Sequence, residues 1–130
     1  MKVLQPPNWP RPQGYANGIT ARGRLVFVSG VVGWNAQGKF ASHDFAGQVR
    51  QALVNIVEIL HEGQAEPEHI ARMTWYVLDK NEYMAAAKAI GVAYREILGK
   101  HYPAMTVVEV SGLVEADARV EIEVTAVVPE

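Results

Sequence analysis

The final segment of the chain constrains the fold more than any other part of the sequence. From Val120 to Val128 apolar residues recur at every second position, and Glu121 and Glu123 lie between them. Successive side chains of a β-strand point to opposite faces of the sheet, so a period of two indicates one apolar and one polar face. The segment therefore predicts a strand whose apolar face must be covered by other elements.

Two other segments have the period of an amphipathic helix. In the first, apolar residues recur at three- and four-residue steps, with Asp44 as the candidate N-cap and Gly63 as the candidate C-terminal residue. In the second, Asn81 is the candidate N-cap and Gly99 ends the helix. Strands are also predicted at 15–20, 24–29, 73–78 and 106–110. The first two of these strands are expected to form a hairpin.

This order of elements predicts an α+β fold in which a single sheet carries two helices on one face. The 130 residues fit one domain, 1–130, which is large enough to bury a core without disulfides. Within it, residues 1–14 contain the prolines Pro6, Pro7, Pro10 and Pro12. Because proline disfavours helix both at its own position and at the one before it, we predict a proline-rich N-terminal arm here.

Composition excludes several classes of function. The chain has no cysteine, and its four histidines lack the spacing of metal ligands, so no metal site is expected. A net charge of −2 provides no basic field for nucleic acid. No apolar run approaches the about 20 residues that span a bilayer, and the N-terminus lacks the apolar stretch of a signal peptide. We therefore expect a cytoplasmic protein without nucleic-acid or membrane partners.

An ordered set of short segments resembles a known family. The set comprises Gly14-Tyr15, Leu25 to Gly30, Gln48 to Ile56, Pro103-Ala104 and Val120 to Glu123. In order and spacing it is similar to the RidA/YjgF family of reactive intermediate deaminases, also called endoribonuclease L-PSP. The resemblance implies a chorismate-mutase-like α+β fold that assembles as a homotrimer, with small-molecule clefts between subunits. It also implies hydrolysis of enamines and imines, such as 2-aminoacrylate, to a keto acid and ammonia without any cofactor.

The resemblance assigns roles to four residues. The cleft tyrosine of the family matches Tyr15, and the glutamate that positions the hydrolytic water matches Glu121. The Ser-Gly pair at a strand end matches Ser29 and Gly30, and the backbone at Gly30 can approach a ligand because glycine has no Cβ. We therefore expect Tyr15 and Glu121 to be catalytic, and Ser29 and Gly30 to bind substrate.

The chain departs from the family at the position that holds the substrate carboxylate. The family motif Pro-Ala-Arg is replaced by Pro103-Ala104-Met105, and Val107 stands where the family has a cysteine. Arginine can hold a carboxylate with two parallel hydrogen bonds, whereas methionine and valine have no donor. We expect Ala104, Met105 and Val107 to line a more apolar substrate site. Trp34, in a neighbouring loop, is either a platform for the ligand or a hydrophobic plug.

Two functions are compatible with these residues. The first is a hydrolytic enamine/imine deaminase that acts on a substrate other than 2-aminoacrylate, because Met105 cannot donate a hydrogen bond to a small carboxylate. The second is a non-catalytic protein that binds a small molecule in the same inter-subunit cleft. Ribonuclease activity, which the older family name records, is disfavoured by the acidic pI of about 6.1.

Overall fold

The computed structural model describes residues 1–130, which form six strands and three α-helices. The strands are β1 Lys2–Leu4, β2 Gly18–Thr20, β3 Arg24–Val32, β4 Ile70–Val77, β5 Ala104–Glu109 and β6 Val120–Val128. The helices are α1 Phe45–Glu62, α2 Lys80–Ala85 and α3 Ala87–Leu98. Four strands form the main sheet in the order β3-β6-β4-β5, while β1 and β2 form a separate two-stranded sheet. The α+β class is confirmed.

The alternating segment at the end of the chain forms β6, as predicted. This strand lies inside the main sheet and is antiparallel to both of its neighbours, β3 and β4. Its fully buried residues are Val120, Ile122 and Ala126, with Val124 almost as enclosed. They belong to the same core cluster as the buried faces of α1 and α3. The apolar face of β6 is therefore covered by the helices, and Glu121 and Glu123 lie on the opposite face of the sheet.

The first helix has the predicted bounds. The side chain of Asp44 accepts a hydrogen bond from the backbone N–H of Gly47 at 3.0 Å, which is the expected contact of an N-cap. At the other end, the backbone N–H of Gly63 bonds back to the last turn of α1. Along the helix, Val49, Leu53, Ile56 and Leu60 are completely buried. Here the helical period of the sequence predicted the buried face correctly.

The second predicted helix differs from the expectation in its N-cap and its continuity. Asp79, and not Asn81, is the N-cap, because its carboxylate accepts hydrogen bonds from the backbone N–H groups of Asn81 and Glu82. A one-residue irregularity at Ala86 then divides the segment into α2 and α3. The structure thus has three helices where the sequence predicted two.

The predicted hairpin between 15–20 and 24–29 is wrong. β2 pairs with β1 from the N-terminal segment, with Val3 opposite Ile19, so the protein has two sheets instead of one. Gly23 explains the break between β2 and β3. Its φ is 151°, and a Cβ at this position would overlap the backbone carbonyl of Val128. The chain therefore turns at Gly23 onto β6, and does not fold β3 back onto β2.

The connection between β4 and β5 determines which strands lie at the edges of the main sheet. These two strands are parallel and are joined by a crossover that contains α2 and α3. β5 therefore forms one edge of the sheet, and β3 forms the other. None of the three helices is long and apolar enough to cross a membrane.

Candidate functional site

A largely apolar cleft with five aromatic side chains lies between β5 and α3. Its volume is about 490 Å³, and nine of its thirteen lining residues are hydrophobic. We call it the aromatic cleft and define it by Tyr15, Trp75, Tyr83, Tyr94, Tyr102 and Met105. Its size and lining are typical of a site for a small organic molecule.

Backbone pairing with the start of β5 holds Tyr15 at this cleft. The N–H of Ala16 donates to the carbonyl of Pro103 at 2.9 Å, and Ala16 forms an isolated parallel bridge with Ala104. Ala104 therefore positions Tyr15 through the backbone, while Met105 and Val107 line the cleft with their side chains. Three of the predicted site residues, Tyr15, Met105 and Val107, thus share one cleft.

Two tyrosines of the aromatic cleft, Tyr83 and Tyr94, are neutral hydrogen-bonding groups. Burial raises the pKa of both Tyr83 and Tyr94 above the ordinary value of a phenol. The hydroxyl of Tyr94 donates to the carbonyl of His101 at 2.7 Å, and its ring stacks on Tyr102 with centroids 5.4 Å apart. Since a neutral phenol can donate a hydrogen bond, Tyr83 is a candidate polar contact for a ligand.

Trp75 and Arg95 are the other polar contributors to the cleft. Trp75 is fully buried, and its indole N–H is the only buried side-chain polar atom in the protein without a hydrogen-bond partner. Arg95, on α3, is the only charged residue among those that line the cleft. A predominantly apolar surface with a few polar groups orients a ligand by those groups.

The second group of predicted residues surrounds a β-bulge in β3. The register between β3 and β6 shifts between Val28 and Val31, so that Ser29 and Gly30 together stand opposite the single residue Glu123. The carboxylate of Glu121 lies directly against Gly30, where a Cβ would overlap its Oε2 atom. Only glycine allows this approach, and bulges of this kind often redirect side chains beside active sites. Ser29, Gly30 and Glu121 therefore form one cluster.

The two glutamates of β6 differ in their hydrogen bonding. Glu123 accepts a hydrogen bond from the hydroxyl of Tyr76 at 2.5 Å. This bond, followed by desolvation and the charges of both glutamates, raises the pKa of Tyr76. Glu121, in contrast, makes no side-chain hydrogen bond within the chain. Its carboxylate is free to accept a proton or to orient a water molecule.

Trp34 lies in a second groove, beside the bulge and not in the aromatic cleft. This groove has a volume of about 610 Å³ and is lined by Ser29, Gly30 and Trp34 together with polar residues of α1. Asn55 holds the loop in place by donating to the carbonyls of Val32 and Trp34 at 3.1 and 2.8 Å. The ring of Trp34 packs against Phe40, with centroids 6.1 Å apart.

The predicted site residues therefore fall into two groups toward opposite sides of the sheet of one chain. Tyr15 lies on the outer side of β5 at its start, whereas Glu121 lies on the inner strand β6 level with Val108, three strand spacings away and farther along. Strands lie about 4.8 Å apart and rise about 3.3 Å per residue, so Tyr15 and Glu121 are roughly 20 Å apart. A single chain does not bring them together.

Trp75, Tyr83 and Arg95 line the cleft although the sequence did not predict them as site residues. The sequence pattern places the first two on a strand and on a helix face without a functional role. The sequence contained one indication for Arg95, which is the glycine one turn earlier in the same helix, Gly91. Glycine destabilises a helix interior, so its presence there indicates a packing or functional requirement at this turn. No group of three or more His, Asp or Glu side chains is placed to hold a metal ion.

Comparison with known proteins identifies the family of the chain. The family model described as endoribonuclease L-PSP matches residues 9–128. A RutC family protein of Pyrococcus horikoshii is 33% identical over 127 residues, covering 96% of both chains. Human 2-iminobutanoate/2-iminopropanoate deaminase is 26% identical over 105 residues, which are 80% of this chain and 73% of the human one.

The solved structures include the same fold. The crystal structure of a Rid family protein from Yersinia pestis, of unknown function, superposes with a TM-score of 0.85 at 28% identity. The match covers 98% of each chain. Together with the family model, which spans nearly the whole sequence, these relatives show that the chain belongs to the RidA/YjgF family, also described as endoribonuclease L-PSP.

Proposed function

We propose that the protein is a hydrolytic enamine/imine deaminase whose substrate is bulkier and more apolar than 2-aminoacrylate. The observation that carries this proposal is the carboxylate of Glu121, which lies unpaired against Gly30 at the bulge of β3. A carboxylate in this state can act as a general base toward water. Relatives of the chain are named 2-iminobutanoate/2-iminopropanoate deaminases, which supports the same type of reaction.

The active site is completed by a second copy of the chain. One half of the site consists of Ser29 and Gly30 on the edge strand β3 and Glu121 on the adjacent strand β6. The other half, with Tyr15, lies beside the edge strand β5, and neither outer edge is paired along its length. An assembly in which the β5 edge of one copy meets the β3 edge of the next would join Tyr15 to Glu121 of that neighbour. Repeated head-to-tail contacts of this kind close into a ring, for which we propose a homotrimer.

Exposed apolar side chains on the sheet support this assembly. Leu25 is 54% exposed and Phe27 is 71% exposed on β3, and Val108 on β5 is 39% exposed. The side chains of β6 that join the core with the helices, Val120, Ile122, Val124 and Ala126, point to the other face, so the helices do not cover this one. Contacts between copies would remove these residues from water, which favours association.

The reaction is the addition of water to a carbon–nitrogen double bond. An enamine first tautomerises to an imine, gaining a proton on carbon and losing one from nitrogen. Glu121 accepts a proton from water as the water oxygen attacks the imine carbon, and returns that proton to nitrogen, which leaves a carbinolamine. The hydroxyl proton of this adduct then passes to nitrogen as the carbon–nitrogen bond breaks, which yields a ketone or keto acid and ammonia. In this scheme, the neighbouring subunit's aromatic cleft, including Tyr15, holds the substrate while the backbone at Ser29 and Gly30 borders the reacting carbon.

Met105 and Val107 determine the substrate class. Both line the aromatic cleft, and neither can donate a hydrogen bond to a carboxylate. The molecule 2-aminoacrylate has little besides its carboxylate by which it can be recognised, so it would be held poorly. A substrate with an aromatic or branched apolar group would instead gain from burial among the aromatic rings.

A non-catalytic binding protein is the second candidate function. It is favoured by the lining of the aromatic cleft, which contains no carboxylate and no nucleophilic thiol or serine. In that case the same cleft would bind an apolar small molecule without converting it.

Imine hydrolysis by the purified protein tests the proposed function. Imines are generated with an amino-acid oxidase from phenylalanine, and 2-aminoacrylate is generated separately. Trapping with semicarbazide then measures how fast each imine disappears. We expect the wild type to accelerate hydrolysis of the aromatic imine at least about tenfold more than that of 2-aminoacrylate. Glu121→Gln should lower this rate on the order of a hundredfold, because the general base is lost.

Glu123→Gln is the matched control, because it neutralises the next carboxylate on the same face of β6. It should keep the aromatic imine activity within a few-fold, and light scattering should show a trimer for all three proteins. A wild-type trimer that binds aromatic keto acids but accelerates no imine hydrolysis would favour the binding protein. Full activity in Glu121→Gln would refute the role assigned to Glu121.

A further inference from the structure

Arg95 carries the only charge in the aromatic cleft, and its position in α3 has two explanations. It lies in the last turn of the helix, where a cation is favoured by the helix dipole and can bond to the final carbonyls. Alternatively, it serves the cleft that it lines. The direction in which the side chain points separates the two explanations.

The guanidinium of Arg95 points away from the end of the helix. Its Nη1 atom lies 3.2 Å from the position that a Cβ on Gly91 would occupy, and Nη2 lies 3.8 Å from it. Gly91 is one turn closer to the N-terminus, so the guanidinium lies back along α3 and far from the terminal carbonyls. Any side chain at position 91 would crowd it. The glycine inside the helix therefore makes room for the charge within the cleft.

Arg95 has no partner within the chain, as is also the case for Arg11, Arg22 and Arg72, whereas three other arginines are paired. Those paired arginines are Arg24 with backbone carbonyls, Arg50 with Glu96, and Arg119 with Glu82. The neighbours of Arg95 on its own helix face are Gly91, Val92, Leu98 and Gly99. None of these residues can form an ion pair with it. All of its guanidinium donors are therefore available to a ligand.

We propose that Arg95 binds the carboxylate of an aromatic 2-imino or 2-keto acid whose ring lies among the aromatic side chains of the cleft. A guanidinium can hold a carboxylate with two parallel hydrogen bonds, and no acidic residue of the same chain lines the cleft to compete with a bound anion. The inference rests on the proposed function in one respect: the deaminase reaction is the reason for expecting an imino or keto group in the ligand. It makes Arg95 the specificity-determining residue for an acid, at a position in α3 and not on β5.

The cleft around Arg95 fits an aromatic acid better than a small one. Its volume of about 490 Å³ exceeds what a three-carbon acid would fill, and five of its lining residues are aromatic. Aromatic rings that pack edge to face or with an offset gain attraction beyond the burial of area.

Titration calorimetry with two matched probes tests this inference. The first probe is 2-oxo-4-phenylbutanoate, and the second is 4-phenylbutan-2-one, which has a methyl group in place of the carboxylate. The wild type should bind the keto acid at least about tenfold more tightly than the ketone. Arg95→Gln should abolish this difference while its affinity for the ketone stays within about twofold of the wild type. Arg95→Lys keeps the positive charge but lacks the planar guanidinium with its paired N–H donors, so it should retain part of the preference for the keto acid.

Lys88→Gln is the control, because it removes one exposed positive charge from the same helix outside the cleft. It should bind both probes as the wild type does. The inference is overturned if Arg95→Gln still prefers the keto acid, or if Lys88→Gln loses the preference equally. It is also overturned if the wild type binds neither probe or does not distinguish them.

These measurements need no turnover, so they are independent of the proposed deaminase activity. Binding of the keto acid that depends on Arg95, in a protein that hydrolyses no imine, refutes the deaminase and leaves the inference intact. Hydrolysis of the aromatic imine with the same KM in wild type and Arg95→Gln refutes the inference alone.

Discussion

Mixing two inactive variants, Tyr15→Ala and Glu121→Gln, restores about a quarter of the wild-type deaminase rate once their subunits have exchanged. This result is expected because the proposed site joins Tyr15 of one copy to Glu121 of the next. In a random equal mixture, half of the subunits carry an intact Tyr15 and half of their neighbours carry an intact Glu121. One site in about four is then complete, whatever the number of subunits in the ring.

A second mixture gives the control for this experiment. Wild type is exchanged with an equal amount of the double variant, Tyr15→Ala with Glu121→Gln. About a quarter of the activity should remain if the site lies between copies, and about a half if it lies within one chain. Rates are measured after refolding the mixtures and each single variant from denaturant. A mixture of single variants that stays as inactive as its components would contradict a site shared between copies.

Replacement of Gln48 by leucine should strongly destabilise the protein. Gln48 is the only fully buried polar residue, and its amide N–H groups donate to the carbonyls of Ser42 and Asp117 at 3.1 and 2.9 Å. Its Oε1 accepts from the backbone N–H of Arg119 at 2.8 Å. Leucine has similar volume but would leave all three backbone groups unpaired, at about 1–3 kcal/mol each.

The expected loss in the free energy of unfolding is roughly 3–6 kcal/mol, and Tm should fall by on the order of 10–20 °C. Chemical and thermal denaturation measure these two quantities. All proteins are measured at the same concentration, so that any contribution of subunit assembly to stability is the same for wild type and variants. Gln51→Leu is the control, because the Gln51 amide donates only to the Asn55 side chain and is half-buried. A loss below about 1 kcal/mol for Gln48→Leu would show that water or local movement satisfies the three groups.

The buried faces of the longest elements were predictable from the sequence. In β6 and in α1 the apolar residues keep one period over the whole element, so local geometry alone selects the face that turns inward. The caps of α1 followed from residue chemistry, because Asp44 can satisfy an N–H group that the helix leaves free. Asp79 was missed as the second cap because Asn81, two residues later, is an equally suitable residue type.

Strand pairing was not predictable in the same way. Three-residue strands such as β1 and β2 are too short to show a period, and nothing in residues 2–4 indicates a partner at 18–20. The steric approach of Gly23 to Val128, which separates β2 from β3, joins residues that are far apart in the chain. Pairing therefore depends on packing that local sequence does not encode.

By itself, the sequence of this protein determined the α+β class, the two faces of β6, the limits of α1 and the resemblance to the RidA/YjgF family. Each of these depends on residues that are close together in the chain or on an ordered set of short segments. Only the tertiary structure decided that Tyr15 and Glu121 lie three strand spacings apart and that Arg95 lines the aromatic cleft. The reason is physical. The order of the strands and the position of the Arg95 guanidinium beside Gly91 depend on contacts between segments that are distant in the chain, and such contacts leave no local pattern in the sequence.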